Sequence, residues 1–227
     1  MTEWEHAAVF YSQYKEENRY SQFCRRFAED YFDDMSGLCV LDAGCGDGEY
    51  TEMFRRKGAI VTGCDGSAAV IARARETHLL CRFDTADLCA ALPYEDAAFD
   101  LVFSNLVLMD IEPIDVALGE FARVLKPGGR LFFSVMHPVY YRGDWVRNEE
   151  GRPLGKLVTT YLAPQRHDCR WGDSVTSQYH RPISFYFNRL ARCGFVCANM
   201  FEPNVYYEEE KRPDLPLYLF AECRREL

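Results

Sequence analysis

Apolar and polar positions change rhythm along this chain, and the changes divide it. Over the first 37 residues, aromatics recur at helical spacings among charged side chains: Phe10, Tyr14, Phe23, Phe27 and Tyr31. That spacing predicts helices, and Asp33, Asp34, Ser36 and Gly37 break it. From Leu38 short apolar runs alternate with amphipathic ones. LCVLDAG, AIVTGCD, LCRFDTAD, FDLVFSNLVL and GRLFFSVMH read as five strands. Between them, GEYTEMFRRKG reads as a helix stopped by Gly58 and SAAVIARARETH as one capped by Ser67. IDVALGEFARVL reads as a third, ended by Lys126-Pro127-Gly128-Gly129. Strands alternating with helices predict βαβ units and a mainly parallel, doubly wound α/β sheet with helices on both faces.

The rhythm fails between 138 and 181. A long stretch with no clean period after a sheet strand predicts an inserted lid. Tyr140, Tyr141, Trp145, Tyr161 and Trp171 there are costly to leave in water; the bland alternative is a decorated surface loop. PISFYFNRLARCG then reads as a helix, and FVCANMFEP and LPLYLFAEC as two closing strands. No linker splits the 227 residues, so one domain is expected. Residues 1–37 would cover it, 38–137 form its core, 138–181 its lid, and 182–227 its closing helix and strands. The run Glu208 to Arg212 reads as a solvated loop.

Charge narrows the partners. Lys plus Arg is 26 and Asp plus Glu is 35, a net charge of −9. Such a surface repels polyanions on average, so nucleic acid is not expected. No apolar run approaches the roughly 18 residues of a membrane span. The polar start of the chain does not read as a signal peptide. Ten cysteines occur without any C-x-x-C. They read as reduced, mostly buried thiols of a cytoplasmic protein. His167, Asp168, Cys169, His180 and Cys193 come nearest to a metal cluster, but their spacing matches no standard zinc pattern, so no metal is expected. Nothing decides between a monomer and a homodimer.

The sharpest feature is VLDAGCGDG, Val40 to Gly48: a strand, then Gly44-x-Gly46-x-Gly48, then a helix. Glycine permits positive φ and close backbone approach to a ligand. Asp65 ends the second strand 21 residues after Gly44, the place of a ribose-hydroxyl acceptor in nucleoside-binding sheets; a helix-cap role is the alternative. A dinucleotide turn has the spacing G-x-G-x-x-G. Here it is G-x-G-x-G, with Asp42 before it and Asp47 inside it. Those acids would repel a pyrophosphate and suit a ligand with an amino group or a sulfonium.

With these residues the chain resembles the class I S-adenosylmethionine-dependent methyltransferases, most of all their small-molecule group. VLDAGCGDG is similar to that family's first motif and Asp65 to its ribose-binding acid. TADLCAALPYEDAAFDLVFSN is similar to its third and fourth motifs, and LKPGGRLFFSV to its turn into the fifth strand. The resemblance implies a Rossmann-like seven-stranded sheet whose last strand is antiparallel, and S-adenosyl-L-methionine as cofactor, leaving S-adenosyl-L-homocysteine. It places Asp42, Gly44, Cys45 and Gly46 at the amino-acid end, and Asp65 and Gly66 at the ribose. Asp87 would take the adenine amino group, Leu88 would pack near the ring, and Asn105 and Leu106 would line the methyl side.

The reaction so implied is in-line methyl transfer to a small-molecule acceptor, with or without a general base. His137 lies at the carboxyl end of the fifth strand, where ligands bind in doubly wound sheets. His180 precedes a segment similar to one in small-molecule members. Both are candidate bases, and both have equally good structural readings. Relatives often carry a histidine near Met109; this chain does not. It also lacks N-P-P-Y and a Pro-Cys in the fourth motif, which argues against adenine or glutamine amino groups and against covalent attack on a pyrimidine. Tyr140, Trp145, Trp171 and Tyr186 are the candidate acceptor-binding residues. Tyr11, Tyr14 and Tyr20 either close over the cofactor or pack as a helix-face core. The rival readings are a non-catalytic binding module for the same nucleosides, a methyltransferase for RNA or protein, and a nicotinamide oxidoreductase. The glycine spacing speaks against the last.

Overall fold

The computed structural model describes residues 3–141, 143–205 and 214–226. The run Glu208 to Arg212 lies outside the described residues, as does the side chain of Tyr141. Two helices open the chain, α1 (Trp4–Glu17) and α2 (Arg19–Tyr31). Asn18 separates them and caps α2, its side-chain oxygen accepting the N–H groups of Tyr20 at 2.9 Å and Ser21 at 3.2 Å.

The alternation that follows is β1 (Cys39–Ala43), α3 (Glu49–Arg56), β2 (Ile60–Asp65), α4 (Ala68–Thr77) and β3 (Arg82–Thr85). Then come β4 (Phe99–Asn105), α5 (Ile114–Val124) and β5 (Leu125–Met136). Ser67 caps α4 as its sequence predicts, accepting the Val70 N–H at 3.3 Å. The Lys126-Pro127-Gly128-Gly129 turn is a break inside β5: Leu125 pairs with Phe99, and the register resumes at Arg130 opposite Leu101. After β5 come a short helix, α6 (Pro138–Tyr141), and two hairpins, β6 (Asp144–Arg147) with β7 (Pro153–Leu157) and β8 (Gln165–Trp171) with β9 (Ser174–His180). Helix α7 (Ile183–Arg192), β10 (Phe195–Phe201) and β11 (Tyr218–Arg225) close the chain.

The seven-stranded sheet runs β10-β11-β5-β4-β1-β2-β3. Neighbours from β5 to β3 are parallel, and β11 is antiparallel to both β5 and β10. Alternate residues of the central strands face opposite sides. Leu41, Val102 and Phe133 meet Leu118 and Phe121 of α5 and Leu190 of α7. Val40, Leu101, Phe103 and Phe132 meet Ala28 of α2, Phe32 beyond it, and Phe54 of α3. Helix α2 therefore completes one face of the sandwich, while α1 packs on α2, α4 and the β8–β9 hairpin.

The segment 138–181 differs from the irregular stretch its sequence suggests. In β8 burial alternates from Gln165 to Trp171, but the half-buried positions hold Gln165, His167, Cys169 and Trp171. A strand whose inward face is polar leaves no hydrophobic period to read.

Candidate functional site

The site grows from the bend between β1 and α3. Gly44 and Gly46 have φ of +79° and +55°, the left-handed region that glycine enters freely. A Cβ at Gly44 would overlap the Val107 side chain, so the loop after β4 packs directly on this turn. The N–H groups of Gly44 and Cys45 both donate to the Cys64 carbonyl, at 2.8 and 2.9 Å, tying the turn to the end of β2.

Asp65, the last residue of β2, accepts the Gly46 N–H on one oxygen at 3.0 Å and the Ser67 N–H on the other at 2.9 Å. Burial holds its carboxyl above the usual range, and those two N–H groups work against burial. Asp42 is 1% exposed and accepts the Thr51 hydroxyl at 2.6 Å. Burial pushes it up to about 7, opposed by the Thr51 bond and by Lys15. Two carboxyls so desolvated favour a cation above them.

A cleft of about 820 Å³ opens at the carboxyl ends of β1 to β4. It is lined by Asp42, Gly44, Cys45, Gly46, Asp65, Gly66, Asp87, Leu88, Asn105 and Leu106. Asp87 is exposed and accepts the Cys89 N–H at 2.8 Å. Asn105 accepts the Ser134 hydroxyl at 2.7 Å. Leu106 has φ of +56°, a strained conformation for leucine. Its N–H is held by the carbonyl of Ser134 at 3.0 Å and the hydroxyl at 3.1 Å.

Helix α1 and the β8–β9 hairpin form the opposite wall. Glu5 accepts the Ala69 N–H at 3.1 Å, and Glu3 accepts the Ser177 N–H at 2.7 Å. Tyr11, Tyr14 and Tyr20 line the cleft, and Tyr20 also packs on the core beneath. The rings of Trp4, Tyr11 and Tyr14 gather around Trp171, with centroids 6.1, 5.2 and 5.7 Å from it.

The remaining candidates are split. Tyr140 and Trp171 line the cleft. Trp145 does not; it packs edge-on against Tyr140, with Lys156 Nζ 4.4 Å from the Tyr140 ring centroid. Tyr186 and His180 line a small separate cavity behind Met109 and Met136. The His180 Nε2–H donates to the Tyr161 carbonyl at 2.7 Å. His137 is 4% exposed, with Nε2 2.7 Å from Glu202 Oε1, while its Nδ1 accepts the Val139 N–H at 3.1 Å. It does not line the cleft.

Asp110, Lys15 and Gln178 line the cleft without any motif to announce them. The signal available for Asp110 was its position, an acid just past the fourth strand in SNLVLMD. Among the described residues, no group of three or more His, Cys, Asp or Glu is arranged to hold a metal ion. The ten cysteines are free thiols. No described helix is long and apolar enough to cross a membrane.

Residues 41–133 match the family described as "Methyltransferase domain". Among curated relatives, a malonyl-[acyl-carrier protein] O-methyltransferase of Pectobacterium atrosepticum is 41% identical over 101 residues, 44% of this chain and 40% of that protein. One from Erwinia billingiae is 36% identical over 130 residues, 57% of this chain and 50% of that protein. The chain thus spans half or less of the length of these relatives. Two solved structures match more completely. An S-adenosylmethionine dependent methyltransferase from Mesorhizobium loti has a TM-score of 0.78 and 27% identity, over 93% of this chain and 100% of that one. A putative one from Listeria monocytogenes has a TM-score of 0.76 and 25% identity, over 88% and 95%.

Proposed function

We propose that this chain, which belongs to the class I S-adenosylmethionine-dependent methyltransferases, transfers a methyl group to a small-molecule acceptor by in-line displacement. The observation that carries the reading is the carboxyl pair of buried Asp42 and half-buried Asp65, beneath a turn opened at Gly44 and Gly46. A ligand with a cationic amino-acid end and a ribose fits that donor set. A pyrophosphate does not, because Asp42 and Asp65 would both face it.

S-Adenosylmethionine, when bound, supplies a methyl group on a positively charged sulfur. On this reading Asp42 and the glycine turn receive the amino-acid end. Asp65 keeps spare acceptor capacity for ribose hydroxyls, since a carboxylate oxygen takes two hydrogen bonds. Asp87 takes the adenine amino group, with Leu88 against the ring, and Asn105 and Leu106 border the methyl side. Helix α1 and the β8–β9 hairpin act as the lid, excluding water and holding the acceptor in line. The bonds at His137 and His180 leave any proton transfer to groups that do line the cleft.

Thermal unfolding with S-adenosylmethionine, S-adenosylhomocysteine and NAD in separate samples tests the reading. A ligand at 100 times its Kd adds about 2.7 kcal/mol of stability. The midpoint should rise with both sulfur nucleosides and stay put with NAD. A rise with NAD alone would overturn the proposal. Tight nucleoside binding with no methyl transfer to any member of a broad acceptor panel would favour a non-catalytic binding module.

A further inference from the structure

We propose that Lys15 and Arg25 form a carboxylate subsite beside the glycine turn, so that α1 closes on nucleosides carrying an amino-acid tail and completes the acceptor wall only once the cofactor is in place. The inference rests on the methyltransferase reading above and names a recognition and closing step of that same cleft.

The tail of S-adenosylmethionine is a zwitterion, with a carboxylate as well as an ammonium. Asp42 and Asp65 suit only the ammonium, and a carboxylate taken out of water needs a cation of its own. Lys15 of α1 and Arg25 of α2 supply it, and both line the cleft. Burial raises the Asp42 carboxyl, and the Lys15 charge, like the Thr51 bond, opposes that rise. The Lys15 ammonium therefore stands at the amino-acid end of the site. It meets Asp47 Oδ1 at 2.5 Å and Glu49 Oε2 at 3.0 Å. An ammonium has three N–H donors, so one remains for a ligand. Among the described residues, Arg25 reaches Glu49 through Nη2, 2.6 Å from each carboxylate oxygen. A guanidinium has further donors in the same plane.

The neighbouring acids do not cancel this subsite. Asp47 is buried, is paired with Lys15 and does not line the cleft. Glu49 is held by both cations. A bridging carboxylate takes the donors that these two acids leave over. Arg170 also lines the cleft, exposed and with no ion pair among the described residues. It stands on β8 instead of on the helices latched to the turn, and it is the rival cation for an anionic ligand.

Closure follows from where Lys15 is mounted. On the same helix, Tyr11 and Tyr14 meet Trp171 of the hairpin, with centroids 5.2 and 5.7 Å away. Glu3, the residue before that helix, accepts the Ser177 N–H of β9 at 2.7 Å. A ligand that adds a bond to Lys15 stabilises α1 in place and, through it, the aromatic wall. A ligand shifts such an equilibrium only by its differential affinity for the two states. A nucleoside without the carboxylate lacks the bond that distinguishes them.

Calorimetry and amide exchange on the full chain test this. The probes are S-adenosylhomocysteine, its decarboxylated analogue S-adenosyl-3-thiopropylamine, and 5′-methylthioadenosine, which lacks the whole tail. S-Adenosylhomocysteine should bind about tenfold or more tighter than the decarboxylated analogue, the difference expected of a charge-assisted contact. At saturation it should slow exchange over residues 4–17 about fivefold or more beyond either other probe. Lys15→Met should shrink the affinity gap to about threefold or less. Arg25→Met should narrow it in the same direction, and Arg170→Met should leave it unchanged. No gap in the unaltered chain, a gap that survives Lys15→Met or Arg25→Met, a gap closed by Arg170→Met, or equal protection of residues 4–17 by all three probes would each overturn the proposal. Should Lys15→Met fail to fold, the comparison of probes on the unaltered chain still decides. Absence of binding by all three probes would instead strike at the methyltransferase reading.

Discussion

Lys15 Nζ, on the first helix, lies 2.5 Å from Asp47 Oδ1, in the glycine turn, with the two side chains only 13% and 10% exposed. The same ammonium reaches Glu49 at 3.0 Å. A cover helix is thus latched to the turn it covers, by a pair buried enough that losing one partner strands the other. Lys15→Met keeps the apolar stem and removes the charge. Amide exchange over residues 4–17 should quicken by roughly 5–30-fold, corresponding to about 1–2 kcal/mol of lost local stability. Exchange in β1 and β4 should not change. Equal acceleration in both regions would mean that α1 is part of the global folding unit, with no separate latch.

Asp42 gives a pH dependence with a definite sign. Its carboxyl has an ordinary value of 3.8 and stands at about 7 in the fold. The folded chain therefore holds a proton that the unfolded chain releases. The stability this group contributes is complete below about pH 4 and is lost as pH rises through about 7. Asp42→Asn cannot ionise, and its side-chain oxygen can still accept from Thr51. The melting midpoint of the variant should fall less than that of the unaltered chain between about pH 5 and pH 7.5. The variant should also bind S-adenosylmethionine about tenfold less tightly, because no carboxylate can form beneath the cation. Parallel melting curves would remove Asp42 from the account.

Gly44→Ala meets two obstacles. The residue must adopt a φ of +79°, and its Cβ would overlap the branched end of Val107. The backbone penalty alone is about 1–2 kcal/mol, and the overlap pushes the loop carrying Leu106 and Val107. We expect a lowered melting midpoint together with weakened nucleoside binding. Gly46→Ala meets no atom within 4 Å at a φ of +55°, so it should carry only the backbone penalty. Equal losses from the two variants would contradict the packing argument.

How far the chain could be read without coordinates follows from which features are local. The strands carrying Val40, Leu101 and Phe132 announce themselves because both faces of a covered parallel sheet are apolar. The glycine turn and Asp65 are legible for a similar reason: a positive φ and a strand-end acid are requirements of a single chain segment. The hairpin β8–β9 was not legible, since its inward residues include Gln165, His167 and Cys169. Nor was the place of Lys15. Its contact exists only because elements distant in sequence converge, as Lys15 and Asp47 do across 32 positions. His137 shows the converse. Its place at a strand end was read correctly, but the direction of its ring is set by Glu202, 65 residues away.

Asp65 ties two backbone N–H groups, one from the glycine turn and one from the start of α4. Asp65→Ala should weaken S-adenosylmethionine by more than tenfold, since it removes a ribose acceptor and frees Gly46 from its anchor. The same variant leaves two N–H groups without a partner, so the melting midpoint should also drop. Calorimetry showing unchanged affinity would end the ribose assignment even if the stability loss appears.

His137 supplies the sharpest division between a structural and a chemical role. Burial lowers its imidazole below the ordinary value of 6.5, and Glu202 opposes that only in part. The fold therefore prefers the neutral ring. The stability it supports is present above about pH 6.5 and is lost as pH falls below that value. Gln in its place can still hydrogen-bond and does not titrate. His137→Gln should flatten the acid side of the stability profile and leave nucleoside binding intact. If His137 only fastens β5 to the segment carrying Glu202, turnover on an identified acceptor should fall no more than about threefold, the scale of a small positional shift. A loss of turnover by a hundredfold or more, with nucleoside binding and the acid limb both unchanged, would return His137 to the reaction.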